Sequence, residues 1–171
     1  MLRKHVGILS LSEDVSNPLL WAHYADAHKG LALEFEAHHA YFERRRSDED
    51  DLYHLRPVTY AHRTSEGRTL SDLDGNDLLV TKAPTWSYEA EWRMLVPLAD
   101  SARMTTTSEG DRVYLFPIPL SAVKAVVLGA RASETLVNRV NLAVSSSEAT
   151  HIELLRAVLD QSDQRITIRP A

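Results

Sequence analysis

Cysteine is absent from this 171-residue chain. That excludes a disulfide scaffold, a thiolate nucleophile and any cysteine-based zinc site, and it suits a reducing compartment. Long apolar runs are missing too. None approaches the roughly 18 residues that a membrane-spanning helix needs, and Met1-Leu-Arg-Lys-His5 leads into only a short apolar run. Positive charge is in deficit: 19 Lys and Arg stand against 24 Asp and Glu, a formal net charge of −5. Phosphate binding needs a basic surface, so general affinity for nucleic acid or for an anionic membrane is not expected. No repeat, low-complexity tract or Pro/Gly/Ser-rich linker divides the chain. These absences describe a cytoplasmic protein of one domain over 1–171. At 44% hydrophobic and 25% charged residues it has an ordinary globular composition.

What is present reads as α+β, a mostly antiparallel sheet with a few short helices. Residues 5–11 form an apolar strand, and Ser16-Asn17-Pro18 supplies a cap and an N1 proline for a helix from Pro18 to Ala27. Lys29 and Gly30 suit a helix end, a cation and a residue that accepts positive φ. Residues 31–36 alternate, with Leu31, Leu33 and Phe35 on one face and Glu34 and Glu36 on the other. A second helix is expected over 37–46, then a solvated loop at the charge run 47–51, a strand from Pro57 to His62 and a short helix from Asn76 to Ala83. Residues 86–96 carry a period of two. Trp86, Tyr88, Ala90, Trp92, Met94 and Val96 fall on one face, with Ser87, Glu89, Glu91, Arg93 and Leu95 opposite. The segments 112–118 and 122–128 are apolar on both faces, as central strands are. Ser133 opens a helix to Val144, and two strands, 152–158 and 165–169, close the chain; a helix over 152–159 is the competing assignment.

Two stretches concentrate chemistry. Trp21-Ala-His23-Tyr24-Ala-Asp-Ala-His28-Lys-Gly30 packs polar rings into ten residues, and a polar ring near a core must find a partner. On a helix, Trp21, Tyr24 and His28 share one side, with His23 on the other. The five-residue spacing of His23 and His28 makes a poor metal clamp, and adjacent His38 and His39 diverge, so no bound metal is expected. The histidines either cap backbone groups at the helix end, or one of them projects into a cleft as a general acid or base. In the second stretch, Trp86-Ser-Tyr88-Glu89-Ala-Glu91-Trp92-Arg93, the charges pair across strands on a wet face, or they set a carboxylate and a guanidinium about 7 Å apart to grip a ligand. Trp92 reads as core; Trp86, near Lys82 and Pro84, is the candidate ligand contact.

The ordered set Trp21-x-His23-Tyr24-Ala-Asp-x-His28-x-Gly30, Glu34-Phe35, Val58-x-Tyr60 and Lys82-x-x-x-Trp86-x-Tyr88-Glu89-x-Glu91-Trp92-Arg93 resembles the bacterial "domain of unknown function 2971" family, most strongly over residues 7–130. A later Leu128-Gly129 before a helix also fits. The family's usual N-terminal portion, with its Asn-Asp-Pro motif, has no counterpart here, which implies a shortened member. The aromatic, histidine and late glutamate mixture is loosely similar to ADP-ribosyltransferase-like folds.

Three functional readings follow. The first is a nucleotide- or NAD-processing enzyme. Glu91 would hydrogen-bond a sugar hydroxyl in an oxocarbenium-like transition state, and His23 or His28 would handle a proton. Trp21, Tyr24, Lys82, Trp86 and Arg93 would form the substrate-binding set, the cations on phosphate and Tyr24 or Trp86 on the base. The second is a non-enzymatic module that binds a small anionic ligand or a protein partner. The third is a buried structural network, in which loss of Arg93 would strand a partner.

Overall fold

A computed structural model describes residues 5–62, 79–145, 148–160 and 165–171. The chain is α+β and its strand pairs are mostly antiparallel. Two compact units share it: Met1–Glu13 with His38–Ile118, and Asp14–Ala37 with Pro119–Ala171.

In the first unit β1 (Val6–Ser12) pairs antiparallel with β6 (Glu91–Pro97), and β6 pairs with β3 (Arg56–Pro57). Between β3 and β6 the chain adds β4 (Thr59–Tyr60) and β5 (Thr81–Lys82), which pair parallel, Tyr60 opposite Lys82. Phe42, Met94 and Leu95 are almost fully buried here, and burial of such side chains contributes roughly 1.5–3 kcal/mol each. A hairpin of β7 (Arg103–Thr106) and β8 (Arg112–Leu115) completes the unit.

Several sequence expectations change in this unit. The helix expected over 37–46 is only a 3₁₀ turn, Ala40–Phe42, where His39 Nδ1 accepts the Tyr41 N–H instead of a helical carbonyl taking part. The expected strand from Pro57 to His62 is split in two, because Val58 donates its N–H to the Glu91 carbonyl while Thr59 turns to Val80. Thr81 and Lys82 are strand rather than helix, and residues 76–78 of that expected helix lie outside the described residues. The strand expected over 86–96 begins only at Glu91. Pro84 opens a 3₁₀ segment, Pro84–Glu89, and Ala90 ends it in the left-handed region at φ 41°. The segment Arg112–Leu115 is half of a two-stranded hairpin instead of a central strand, and β7 opposite it is exposed throughout.

In the second unit the sheet order is β11 (Ile166–Pro170), β10 (Glu153–Leu159), β9 (Val123–Leu128) and β2 (Leu31–Phe35). β9 and β10 run parallel, so they need a crossover, which α2 (Glu134–Val144) supplies under its Ser133 cap. Every residue of β9 except Lys124 is buried, as its unbroken apolar pattern predicts. One sheet face packs Val126 and Leu128 on Val140 of α2; the other packs Val127, Ala157 and Ile166 with Trp21 and Ala25. The clean alternation expected for β2 fails at Leu33, which is 48% exposed. Both closing segments are strands, so the helical alternative for 152–159 is set aside. Among the described residues, no helix is long and apolar enough to cross a membrane.

Helix α1 spans Pro18–Tyr24, with Asn17 accepting the Leu19 N–H, and stops three residues short of the expected Ala27. His28 therefore lies off the helix and does not share a helical face with Trp21 and Tyr24. Asp26, Ala27 and His28 follow in the left-handed region, at φ 46°, 51° and 69°. Gly30, expected to take that conformation, does not; it is small because a Cβ there would press on the Ala25 carbonyl carbon and oxygen at 3.2 and 3.1 Å.

Candidate functional site

The first unit gathers Lys82, Glu89, Glu91 and Arg93. Glu91 and Arg93 point to one side of β6 because strand side chains alternate. Glu89 reaches the same cluster by a different route. The left-handed turn at Ala90 lets the chain reverse after the 3₁₀ segment, and its ends are fixed by Ser12 Oγ donating to the Glu89 carbonyl and Glu13 N–H donating to the Ala90 carbonyl. Lys82 comes from β5, held by its pairing with Tyr60, whose hydroxyl accepts the Glu91 N–H at 2.8 Å.

The ion pairs are dense. Arg93 donates from Nε and Nη2 to the two Glu91 oxygens, at 2.8 and 3.0 Å, the two-pronged geometry that suits guanidinium and carboxylate. Its Nη1 donates to the Leu79 carbonyl. Lys82 Nζ donates to Glu91 Oε2 at 3.0 Å and also to Glu89. The carboxylates are only 4% and 7% exposed. A wet face of exposed cross-strand pairs is therefore not what forms, and the side chains meet in direct contact rather than standing 7 Å apart. Two positive and two negative groups balance, which is what burial of charge demands. Burial pushes the Glu91 carboxyl up, but hydrogen bonds from Arg93, Lys82 and Ser10 outweigh it and hold Glu91 below the ordinary carboxylate value. Burial likewise pushes the Lys82 ammonium down, and its bonds to Glu89 and Glu91 more than reverse that.

Beside this cluster is a cavity of about 560 Å³, whose described lining includes Lys82, Arg93, Trp86, Thr81, His62 and Ile8. Trp86 is 43% exposed, and Lys82 Nζ stands 5.0 Å from its ring centroid, within range of a cation–π contact. Among the described residues each cation keeps donors in hand, Lys82 using two of its three N–H groups and Arg93 three of its five.

The other sequence candidates lie in the second unit. Trp21 is buried at 3% exposure, its indole N–H donating to the Val15 carbonyl at 2.6 Å. His23 is exposed and Tyr24 is 68% exposed, their rings edge to face at 6.3 Å. His28 is half buried, with Nδ1 inside and without a hydrogen-bond partner. Thus Lys82, Trp86, Glu91 and Arg93 come together, and Trp21, His23, Tyr24 and His28 lie apart from that cluster in sequence and in unit. His62 and Thr81 were missed. Thr81 opens the two-residue strand β5 and His62 follows the two-residue strand β4, both too short to show a period, so no pattern marked them.

Among the described residues no group of three or more histidine and carboxylate side chains gathers as a metal site does. Residues 20–94, from α1 through the cluster, match a family model described as "Protein of unknown function (DUF2971)". The resemblance read from the two motifs is to this family. The DUF2971 match takes in all four residues of the charge cluster and all four rings of the α1 motif, Trp21, His23, Tyr24 and His28. No curated protein and no solved structure matches the chain.

Proposed function

We propose that the first unit of this DUF2971 chain binds a small ligand with an anionic group and a flat apolar body, a nucleotide being the class that offers both. The reading rests on one observation: two cations with N–H groups to spare border the same cavity as a half-exposed indole. The carboxylates behind them hold the cations in place. An anion there meets donors that are already oriented, so little side-chain entropy is lost on binding. Trp86 offers its face for stacking.

In this reading Lys82, Trp86 and Arg93 contact the ligand and Glu91 is a positioning residue. The Glu91 carboxylate already accepts three hydrogen bonds from Lys82 and Arg93 and another from Ser10, which leaves little capacity to grip a sugar hydroxyl in a transition state. Binding without turnover is therefore favoured over NAD processing.

Calorimetric titration with AMP, ATP and NAD is the test, with product analysis on the NAD sample. Saturable binding is expected, weakened about tenfold in Trp86→Ala, with NAD recovered intact. Absence of saturable binding to all three nucleotides and to pyrophosphate overturns the proposal. Cleavage of NAD that Glu91→Gln abolishes would restore the enzymatic reading.

A further inference from the structure

β1 is an edge strand, with β6 on one side and no strand on the other among the described residues. Its pairing fixes which backbone groups look outward. The His5 carbonyl accepts the Leu98 N–H and Glu13 N–H donates to the Ala90 carbonyl, so Gly7, Leu9 and Leu11 between them face β6. Antiparallel residues alternate between exchanging bonds and exchanging none, so Val6, Ile8 and Ser10 turn their N–H and C=O groups away from β6. The far side of β6 gives the same alternation. Leu95 and Glu91, opposite Ile8 and Ser12, accept from Tyr53 and Val58 there. The outward groups of Val6 and Ile8 have no backbone partner among the described residues. Open edges are ordinarily blunted by charge or proline, and β1 (Val-Gly-Ile-Leu-Ser-Leu-Ser) has neither. Val6 and Ile8 also line the cavity that Trp86, Lys82 and Arg93 border, and Ile8 is 43% exposed. The open stretch of edge thus borders about 560 Å³ of space, within the range of small-ligand pockets.

We propose that this edge reads the base of the nucleotide, the Val6 C=O and the Ile8 N–H taking the amino group and adjacent ring nitrogen of adenine. The inference rests on the nucleotide reading of the cavity and names the base. An extended strand points the carbonyl of one residue and the N–H of the next but one in the same direction, an acceptor beside a donor. Adenine offers the complement, an exocyclic N–H beside an unprotonated ring nitrogen, and a base held on an aromatic face is read along that edge. Hypoxanthine has an oxygen and an N–H in those two places. It would set acceptor against acceptor and donor against donor. Trp86 covers the ring and Lys82 and Arg93 hold the phosphate, so the backbone of β1 supplies the choice of base that those three side chains lack.

The test compares AMP with inosine monophosphate, which differs only at that edge, by calorimetry and by backbone amide resonances. AMP should bind about tenfold more tightly. The Ile8 N–H resonance should shift with AMP and not with inosine monophosphate, while that of Gly7, turned toward β6, moves far less. Ile8→Pro removes the outward N–H and leaves the ladder to β6 intact, the one setting on an edge strand where proline is tolerated. It should lower AMP affinity to that of inosine monophosphate, whereas Ile8→Ala keeps the N–H and should keep the preference. Equal affinity for the two nucleotides, or an Ile8 resonance indifferent to AMP, overturns the base reading and leaves nucleotide binding standing. Failure of AMP, ATP, NAD and pyrophosphate alike to bind removes both. The wild-type resonance decides the matter alone if the proline variant does not fold.

Discussion

Two stretches of the chain carry nearly the same mixture of aromatic, basic and acidic residues, and they resolve it in opposite ways. Around β6 the charged side chains turn inward and satisfy each other, with Arg93 clamped on Glu91 and Lys82 shared between two glutamates. Around α1 one large ring goes inward, and His23 and Tyr24 remain exposed. There the polar work is done by backbone: His28 N–H donates to the Trp21 carbonyl, Gly30 N–H to that of Ala25 and Arg131 N–H to that of His28. A ring-rich sequence is thus a site where extended strands bring counter-charges into register. It is a corner where the chain only has to turn.

The largest expected effect breaks the first half of that contrast. Arg93→Ala leaves Glu91 buried with half its partners gone, and uncompensated buried charge costs about 3–5 kcal/mol. Urea unfolding of the variant should show that loss, and adding Glu91→Gln to Arg93→Ala, which removes the stranded charge as well, should recover part of it. A loss under about 1 kcal/mol in Arg93→Ala would mean that the pair behaves as a solvated surface bridge.

Next comes a backbone test of the second half. A Cβ on Gly129 would lie far inside contact distance of the His28 carbonyl oxygen and 2.9 Å from the Gly30 carbonyl oxygen. Neither neighbour is the end of a flexible side chain, so Gly129→Ala should cost about 3 kcal/mol, read as a fall in melting temperature. A silent substitution would show that this corner gives way easily.

The sequence made some elements plain and hid others for physical reasons. Val123–Leu128 and Glu134–Val144 were legible because an unbroken apolar run and a serine cap are local signals. Glu91 and Arg93 were legible as one face of a strand. Alternation also put Glu89 with them, but by the wrong route, since the link is a 3₁₀ segment and the left-handed Ala90 and not a continuous strand. The wet face was misjudged for a related reason. Charges at period two look solvent-facing until a lysine nine residues upstream of Glu91 is known to fold back over them. The end of α1 was misplaced because glycine was taken as the residue for positive φ, and an aspartate, an alanine and a histidine took it instead.

The pH dependence of stability sharpens the cluster's half. Glu91 is held below its ordinary value of 4.5, so its contribution is complete above that pH and is lost as pH falls through the lower folded value. Lys82 is held above its ordinary 10.5, so its contribution is complete below that pH and is lost as pH rises through the higher folded value. Stability curves should therefore fall at both extremes. Glu91→Gln should flatten the acid limb and Lys82→Met the alkaline one. An acid limb unchanged in Glu91→Gln would place the titrating group elsewhere.

The smallest expected effect concerns the corner. Ala27 sits at φ 51° between two other residues of the same hand, and it is exposed. An alanine in that region is strained against its own carbonyl, and glycine is not. Glycine also frees the unfolded chain, which offsets part of the gain, so Ala27→Gly should raise stability by about 0.5–1 kcal/mol. The same change at Ala22, inside α1, should lower it by about 1 kcal/mol, since there the backbone is helical. The opposite signs of two identical substitutions five residues apart would show that helix α1 ends where the backbone changes hand; equal losses at both positions would extend the helix to Ala27 after all.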